Sequence, residues 1–306
     1  MAAFPAINLA ALPQPAAVVV PSVAAIRQAR LAYFQTLWAA AQASDPTLPT
    51  YNVETLEGDP GVMLQEADAY RETLALSRIN DAVLATNLAW AMGTDLDAIG
   101  QGLYATPRAA GELDDPYRAR VQLAFESVTT GGSYGGYKYW ALSAAPVDLA
   151  DVEVYGYNDA PGVAMGEVRI VCLGANSSGV PTPAVLAAVK TACAPPNRGA
   201  VRKLNDRVTV QAATPVPYAV VATLTLAHGA DPATVLSTQL SALATFLAAR
   251  RVIGGQVKPG DVEAVLGFNA PGLVLGAAVT APAQSVGGDP FFCPILTGTG
   301  VTWRWP

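Results

Sequence analysis

Four apolar runs in this chain are each introduced by a short polar side chain followed at once by proline: Asp59-Pro60, Asp115-Pro116, Thr182-Pro183 and Asp231-Pro232. Proline lacks an N–H and its φ already suits a helix, so it costs little at the first helical position. The Asp or Thr before it accepts a hydrogen bond from the first turn. The pairs therefore predict four helix starts. Ser22 and Ser133 are placed to cap in the same way without proline, and Thr94 with Asp97 suggests one more start, stopped by Gly102.

Helical periodicity fills the front of the chain. From Ser22 to about Ala43, Ile26, Tyr33, Phe34, Leu37 and Trp38 share one face. From Pro60 to about Met92 the apolar set Met63, Leu64, Ala67, Tyr70, Leu74, Leu76, Ile79, Val83, Leu84 and Leu88 covers more than one stripe. A long helix with so wide an apolar arc needs cover from several sides, from its own domain or from other subunits. Around residue 146 the period changes to two. "DLADVEVYGY" and "GEVRIVCL" read as a hairpin around "NDAPG", and Thr182-Pro183 then opens a helix before strand "DRVTVQAA". The order repeats with strand "YAVVATLTL", the Asp231-Pro232 helix, a short helix from Asp261 through Leu266 and strand "GLVLGAAV", and the tail "CPILTGTGVTWRWP" reads as a further strand. The fold class is α+β: an N-terminal helical domain with a long helix, followed by two successive β-α-β units. The expected division is an extended arm over 1–21, a helical domain over 22–145, a first unit over 146–212 and a second over 213–306.

Charge narrows the function. Only 14% of the 306 residues are charged while 52% are hydrophobic, which points to surface covered by other subunits. The net charge of −6 is divided unevenly: residues 45–167 hold 19 acids against 6 bases, and from 168 onward 10 bases face 5 acids. No face concentrates the positive charge that a nucleic acid demands, so that partner is not expected. The charge-free first 26 residues carry four prolines and no basic start, which favours an extended arm over a membrane segment. The three cysteines are far apart, without a C-x-x-C pair, and argue against a zinc site and for a reducing compartment.

"GGSYG" puts Gly131, Ser133 and Gly135 at the spacing of a serine-hydrolase nucleophile elbow. An elbow needs a strand before the serine and a reachable histidine. Here a helix precedes it and His228 is the single histidine. Glycines ending one helix and a serine capping the next account for the same letters; a serine hydrolase using Ser133 stands as the alternative. No catalytic, cofactor or metal site is expected. Asp95 with Asp97, and Glu112 with Asp114 and Asp115, read as caps and solvated turns, and the basic run with Arg202, Lys203 and Arg207 reads as a loop that meets an acidic neighbour.

Three stretches together resemble the baseplate J-like family of contractile-tailed phages. They are residues 57–100, with E-x-x-A-Y-R-E, R-I-N-x-A and G-x-D-L-D-x-I-G; residues 114–144, with an acid, Y-R-x-R and A-F-E-S before a glycine-serine turn; and "LADVEVY" with "PNRGAVRKLNDRVTVQAA" and "PYAVVATLTL". The resemblance implies a structural baseplate wedge subunit of a contractile tail or a related injection particle. Such a subunit assembles with a second copy and a smaller wedge protein as a heterotrimer, around a central hub and beneath the sheath, and takes part in the switch to contraction. Host cytoplasm during assembly and the virion tail thereafter are the implied locations, with no membrane and no cofactor. Candidate interface residues are Met63, Tyr70, Leu74, Ile79, Leu84 and Leu88 on the long helix, with Arg202, Lys203 and Arg207 behind.

Overall fold

A computed structural model of the chain describes residues 7–19, 21–52, 58–128, 132–194, 201, 205–268 and 272–306. The described chain forms two compact units, Ile7–Leu103 and one that holds Tyr104–Pro306.

In the first unit, helices α1 (Val23–Ser44) and α2 (Pro60–Ala85) pack side by side, followed by α3 (Gly93–Tyr104), whose last residue belongs to the second unit. The caps of α1 and α2 are those expected, whereas α3 begins at Gly93, ahead of the expected Thr94, and runs past Gly102 to Tyr104. Ser22 Oγ accepts from the Ala25 N–H at 3.3 Å, and Asp59 Oδ1 accepts from Gly61 and Val62 at 2.9 and 3.1 Å. Phe34, Trp38 and Tyr51 form an aromatic trio that closes the loop after α1, and the Trp38 indole N–H donates to Pro49 O. The long helix is shorter than the expected run to Met92. It ends at Ala85 because Thr86 Oγ1 donates back to Val83 O and the chain tightens into a turn, in which the Asn87 side chain accepts from the Ala89 N–H.

The second unit begins with α4 (Asp114–Gln122), α5 (Ala124–Ser127) and α6 (Tyr134–Ala144). Here the Asp115 cap is corrected. Helix α4 starts two residues early with Leu113 at its N-cap, where no side chain caps it, and Asp114 pairs with Arg108 at 2.8 Å. Strands β1 (Leu149–Tyr155) and β2 (Glu167–Gly174) form the hairpin, and α7 (Pro183–Cys193), capped by Thr182, carries the chain to β3 (Arg207–Ala212) parallel to β2. One face of this sheet shares a core with α6 and α7, built from Tyr137, Ala141, Val152, Ile170, Cys172, Val189 and Cys193.

Strand β4 (Thr214–Leu226) leaves β3 after a single residue, Ala213. It is followed by α8 (Pro232–Arg250), capped by Asp231, then β5 (Gln256–Val257), α9 (Pro259–Phe268), β6 (Val274–Ala281), β7 (Val286–Gly287) and β8 (Phe292–Arg304). The second sheet has the order β6-β4-β8, with β6 antiparallel and β8 parallel to β4. Its strand-helix-strand unit thus returns antiparallel, and the parallel partner of β4 is the C-terminal strand. Alternate residues Tyr218, Val220, Ala222, Leu224 and Leu226 meet Val235, Leu243 and Leu247 of α8 and Val262 and Leu266 of α9 in a second core. Helix α8 is, among the described residues, the one helix long and apolar enough to cross a membrane, and its inner face belongs to that core. Val171, Leu173, Ala213, Ile253, Cys293 and Ile295 join the two sheets in a third cluster.

Candidate interaction surface

The helical pair α1 and α2 is held by charge on one side and left apolar on another. Arg30 donates through Nε and Nη2 to Glu72 at 2.9 and 2.7 Å and stands 3.6 Å from Asp68, and Arg27 lies 3.9 Å from Glu66. Partly exposed pairs of this kind orient two helices more than they stabilise them. No residue of α1 is fully buried, and in α2 only Val62 and Ala69 are. Met63, Ala67, Tyr70 and Leu74 follow one another at helical spacing along an exposed face, with Leu64 beside them. Met63, Leu64, Tyr70 and Leu74 are each between 52 and 60% exposed, and on α1 Tyr33 and Leu37 are 66 and 52% exposed. Covering one such side chain is worth ~2 kcal/mol.

The candidate interface residues separate accordingly. Met63, Tyr70 and Leu74 lie together on that face. Ile79 is exposed as well, yet five residues on from Leu74 it points roughly 140° away around the helix axis. Leu84 is half-buried near the helix end, and Leu88 is half-buried in the turn beyond it. Arg207 is exposed at the start of β3, 4.0 Å from Glu167, while Arg202 and Lys203 lie outside the described residues. Leu64, Tyr33 and Leu37 were not among the candidates, although the wide apolar arc of both helices contained them.

Ser133 is tied into the backbone. Its Oγ accepts from the Gly136 N–H at 3.1 Å and its proton goes to Glu126 O at 3.3 Å, so it caps α6. A Cβ at Gly135 would meet Glu126 Cγ at 2.7 Å, and one at Gly136 would meet Glu126 O at 2.8 Å, so α5 packs too closely for any side chain there. Gly132 holds φ +63, as a turn between helices requires, and Gly131 lies outside the described residues. His228 stacks on Trp305 at 5.5 Å. Burial pushes the thiols of Cys172 and Cys193 up to about 12 and that of Cys293 up to about 11, which disfavours the reactive thiolate. No three metal-ligating side chains converge among the described residues.

One acid departs from the solvated reading. Glu112 is buried and paired with buried Arg120, with Arg108 and Arg120 both stacked over the Tyr117 ring. The Tyr117 hydroxyl donates to Thr106 O, and Thr106 Oγ1 lies 2.9 Å from Tyr139 OH. Next to this network is a cavity of ≈ 250 Å³ walled by Leu123, Leu142, Leu149, Lys138 and Arg120. Lys138 bonds Asp151 and Glu153 at 3.3 and 2.7 Å, so both cations there are neutralised and the cavity offers no site for an anion.

Two family models match in chain order: the Baseplate J-like N-terminal domain over residues 57–110, which contains α2 and α3, and the Baseplate J-like central domain over residues 129–212, from α6 to the end of β3. The chain belongs to the baseplate J-like family. It is similar to Baseplate protein J of Escherichia phage P2, with 35% identity over an alignment of 226 residues that covers 69% of this chain and 72% of that relative.

Proposed function

We propose that this protein is a structural subunit of a phage tail baseplate or a related contractile injection particle, and that it works by assembly without catalysing a reaction. Membership of the baseplate J-like family supports the structural role. The observation that carries the assembly reading is the uncovered apolar face of α2 around Met63, Tyr70 and Leu74, supplemented by Tyr33 and Leu37 on α1. In the fuller form of the proposal the subunit is a wedge component. It joins a second copy and a smaller wedge protein as a heterotrimer, arranged around the central hub and transmitting the switch to sheath contraction. It assembles in the host cytoplasm and ends in the virion tail.

The test is light scattering after size-exclusion chromatography on the protein alone and co-expressed with the product of the adjacent reading frame. A complex of two copies to one partner, lost in Leu74→Asp and kept in Ser133→Ala, is the expected result. A monomer that ignores the partner overturns the wedge reading. A covalent adduct of folded protein with a serine-directed acylating probe, absent in Ser133→Ala, overturns the non-enzymatic reading.

A further inference from the structure

The ≈ 250 Å³ cavity beside Glu112 and Arg120 is large for a folded interior. Close-packed cores seldom leave a void bigger than a water molecule, and an apolar cavity of about 150 Å³ already takes a benzene ring. Leu123 and Leu149 are buried in its wall, Leu142 is half-buried, and exposed Ala119 and Ala150 mark where it meets the surface. All of these residues belong to the second unit.

The polar groups of the wall restrict what can enter. Glu112 accepts from Arg120 through both oxygens and from the Ala109 N–H. Asp151 Oδ1 accepts from Lys138 and the Val152 N–H, and its Oδ2 accepts from the Ile253 N–H at 3.1 Å. A cation entering the cavity therefore meets carboxylates that are already engaged, and an anion meets cations that are already paired. Arg120 is less complete than its partner. Its Nε and Nη2 have acceptors within 2.9 Å, but Nη1 reaches only Ser143 Oγ, at 3.5 Å, on a side chain that is 5% exposed. A buried donor left without a close acceptor costs about 1–3 kcal/mol. Water can satisfy that nitrogen, yet it gains nothing from the leucines around it.

We propose that this cavity binds one neutral ring carrying an oxygen, of the phenol class. The ring lies among Leu123, Leu142 and Leu149, and its oxygen accepts from Arg120 Nη1. An apolar body with a single polar tip matches a wall that is mainly apolar and has one spare donor. Two sources present the same group: a small phenolic molecule, and the tyrosine side chain of an assembly partner. The second rests on the assembly reading above; the first does not.

The test uses the full chain and p-cresol, which has the structure of a tyrosine side chain. The methyl resonances of Leu123, Leu142 and Leu149 should shift saturably as p-cresol is added. Toluene, the same ring without the oxygen, should bind about tenfold or more weakly, because a hydrogen bond to a charged donor is lost. Ala119→Phe changes an exposed residue at the mouth and should block p-cresol while circular dichroism stays unchanged. Absence of any shift up to the solubility limit, equal affinity for toluene, or undiminished binding to Ala119→Phe overturns the proposal. In the complex with the co-expressed partner, loss of p-cresol binding identifies a partner tyrosine as the occupant, and unchanged binding identifies a free small molecule. Failure to form that complex counts against the assembly reading alone, since the isolated chain decides the site.

Discussion

Arg120 Nε and Nη2 lie 2.9 and 2.6 Å from the two carboxylate oxygens of Glu112, with side chains 5 and 1% exposed. The pair is satisfied beyond itself: Arg120 also donates to Pro107 O at 2.9 Å, and Glu112 accepts from the Ala109 N–H at 2.9 Å. Removing one partner leaves a buried charge. Arg120→Met is expected to lower unfolding stability by about 3–5 kcal/mol, whereas Arg120→Met combined with Glu112→Leu recovers much of the loss because it removes both charges. Urea denaturation of the three proteins measures this directly; equal losses for the single and double variants would refute it.

Ser133→Ala should cost about 1 kcal/mol, the usual loss of an N-cap. Gly136→Ala should cost more, since its new methyl would lie 2.8 Å from Glu126 O and α6 would have to shift. Thermal unfolding ranks the two variants; the reverse order would show that the joint between α5 and α6 is looser than described.

Acidification should weaken the first sheet through Glu167. Hydrogen bonds from Arg169, the Ala164 N–H and Thr209 hold its carboxyl at about 2, below the ordinary 4.5. A carboxyl depressed in the folded state contributes stability above its unfolded value, and that contribution fades as pH falls from about 4.5 toward 2. Glu167→Gln should therefore be less stable than the parent at neutral pH, with the gap narrowing across that window. A gap that stays constant with pH would show that the bonds, and not the charge, carry the effect.

Asn80 brackets the backbone of Val19, accepting from its N–H at 3.2 Å and donating to its carbonyl at 2.6 Å. With Asn80→Ala, limited proteolysis should cut near Val19 faster while global stability changes by no more than about 1 kcal/mol. Unchanged cleavage would mean that other contacts hold the arm.

Local signals were legible and distant ones were not. Ser22, Asp59, Ser133, Thr182 and Asp231 cap as read, because a cap needs only its own first turn. Asp115 does not cap, because the neighbouring Asp114 is drawn to Arg108 and the helix starts two residues early. Glu112 looked like a solvated acid since nothing adjacent shows that Arg120 folds over it. The same distance effect hid the parallel pairing of β4 with β8, whose partners lie nearly 80 residues apart, as with Val220 and Thr299. At the surface, periodicity offered Met63, Tyr70 and Leu74 together with Ile79, Leu84 and Leu88 without separating them, and the exposure of Tyr33 and Leu37 depends on how α1 leans on α2.

Strands β3 and β4 are separated only by Ala213, which is buried and donates its N–H to Cys172 O, while Thr214 next to it donates to Phe291 O. The two sheets are therefore threaded on one extended run of backbone from Arg207 to Leu226, about 66 Å if fully drawn out. Tension applied to either sheet along that run passes to the other through covalent bonds, with no slack loop to take it up. Such a run behaves as a tie rod: the two sheets bear the same load in series, so the weaker of them sets the force at which the rod gives way.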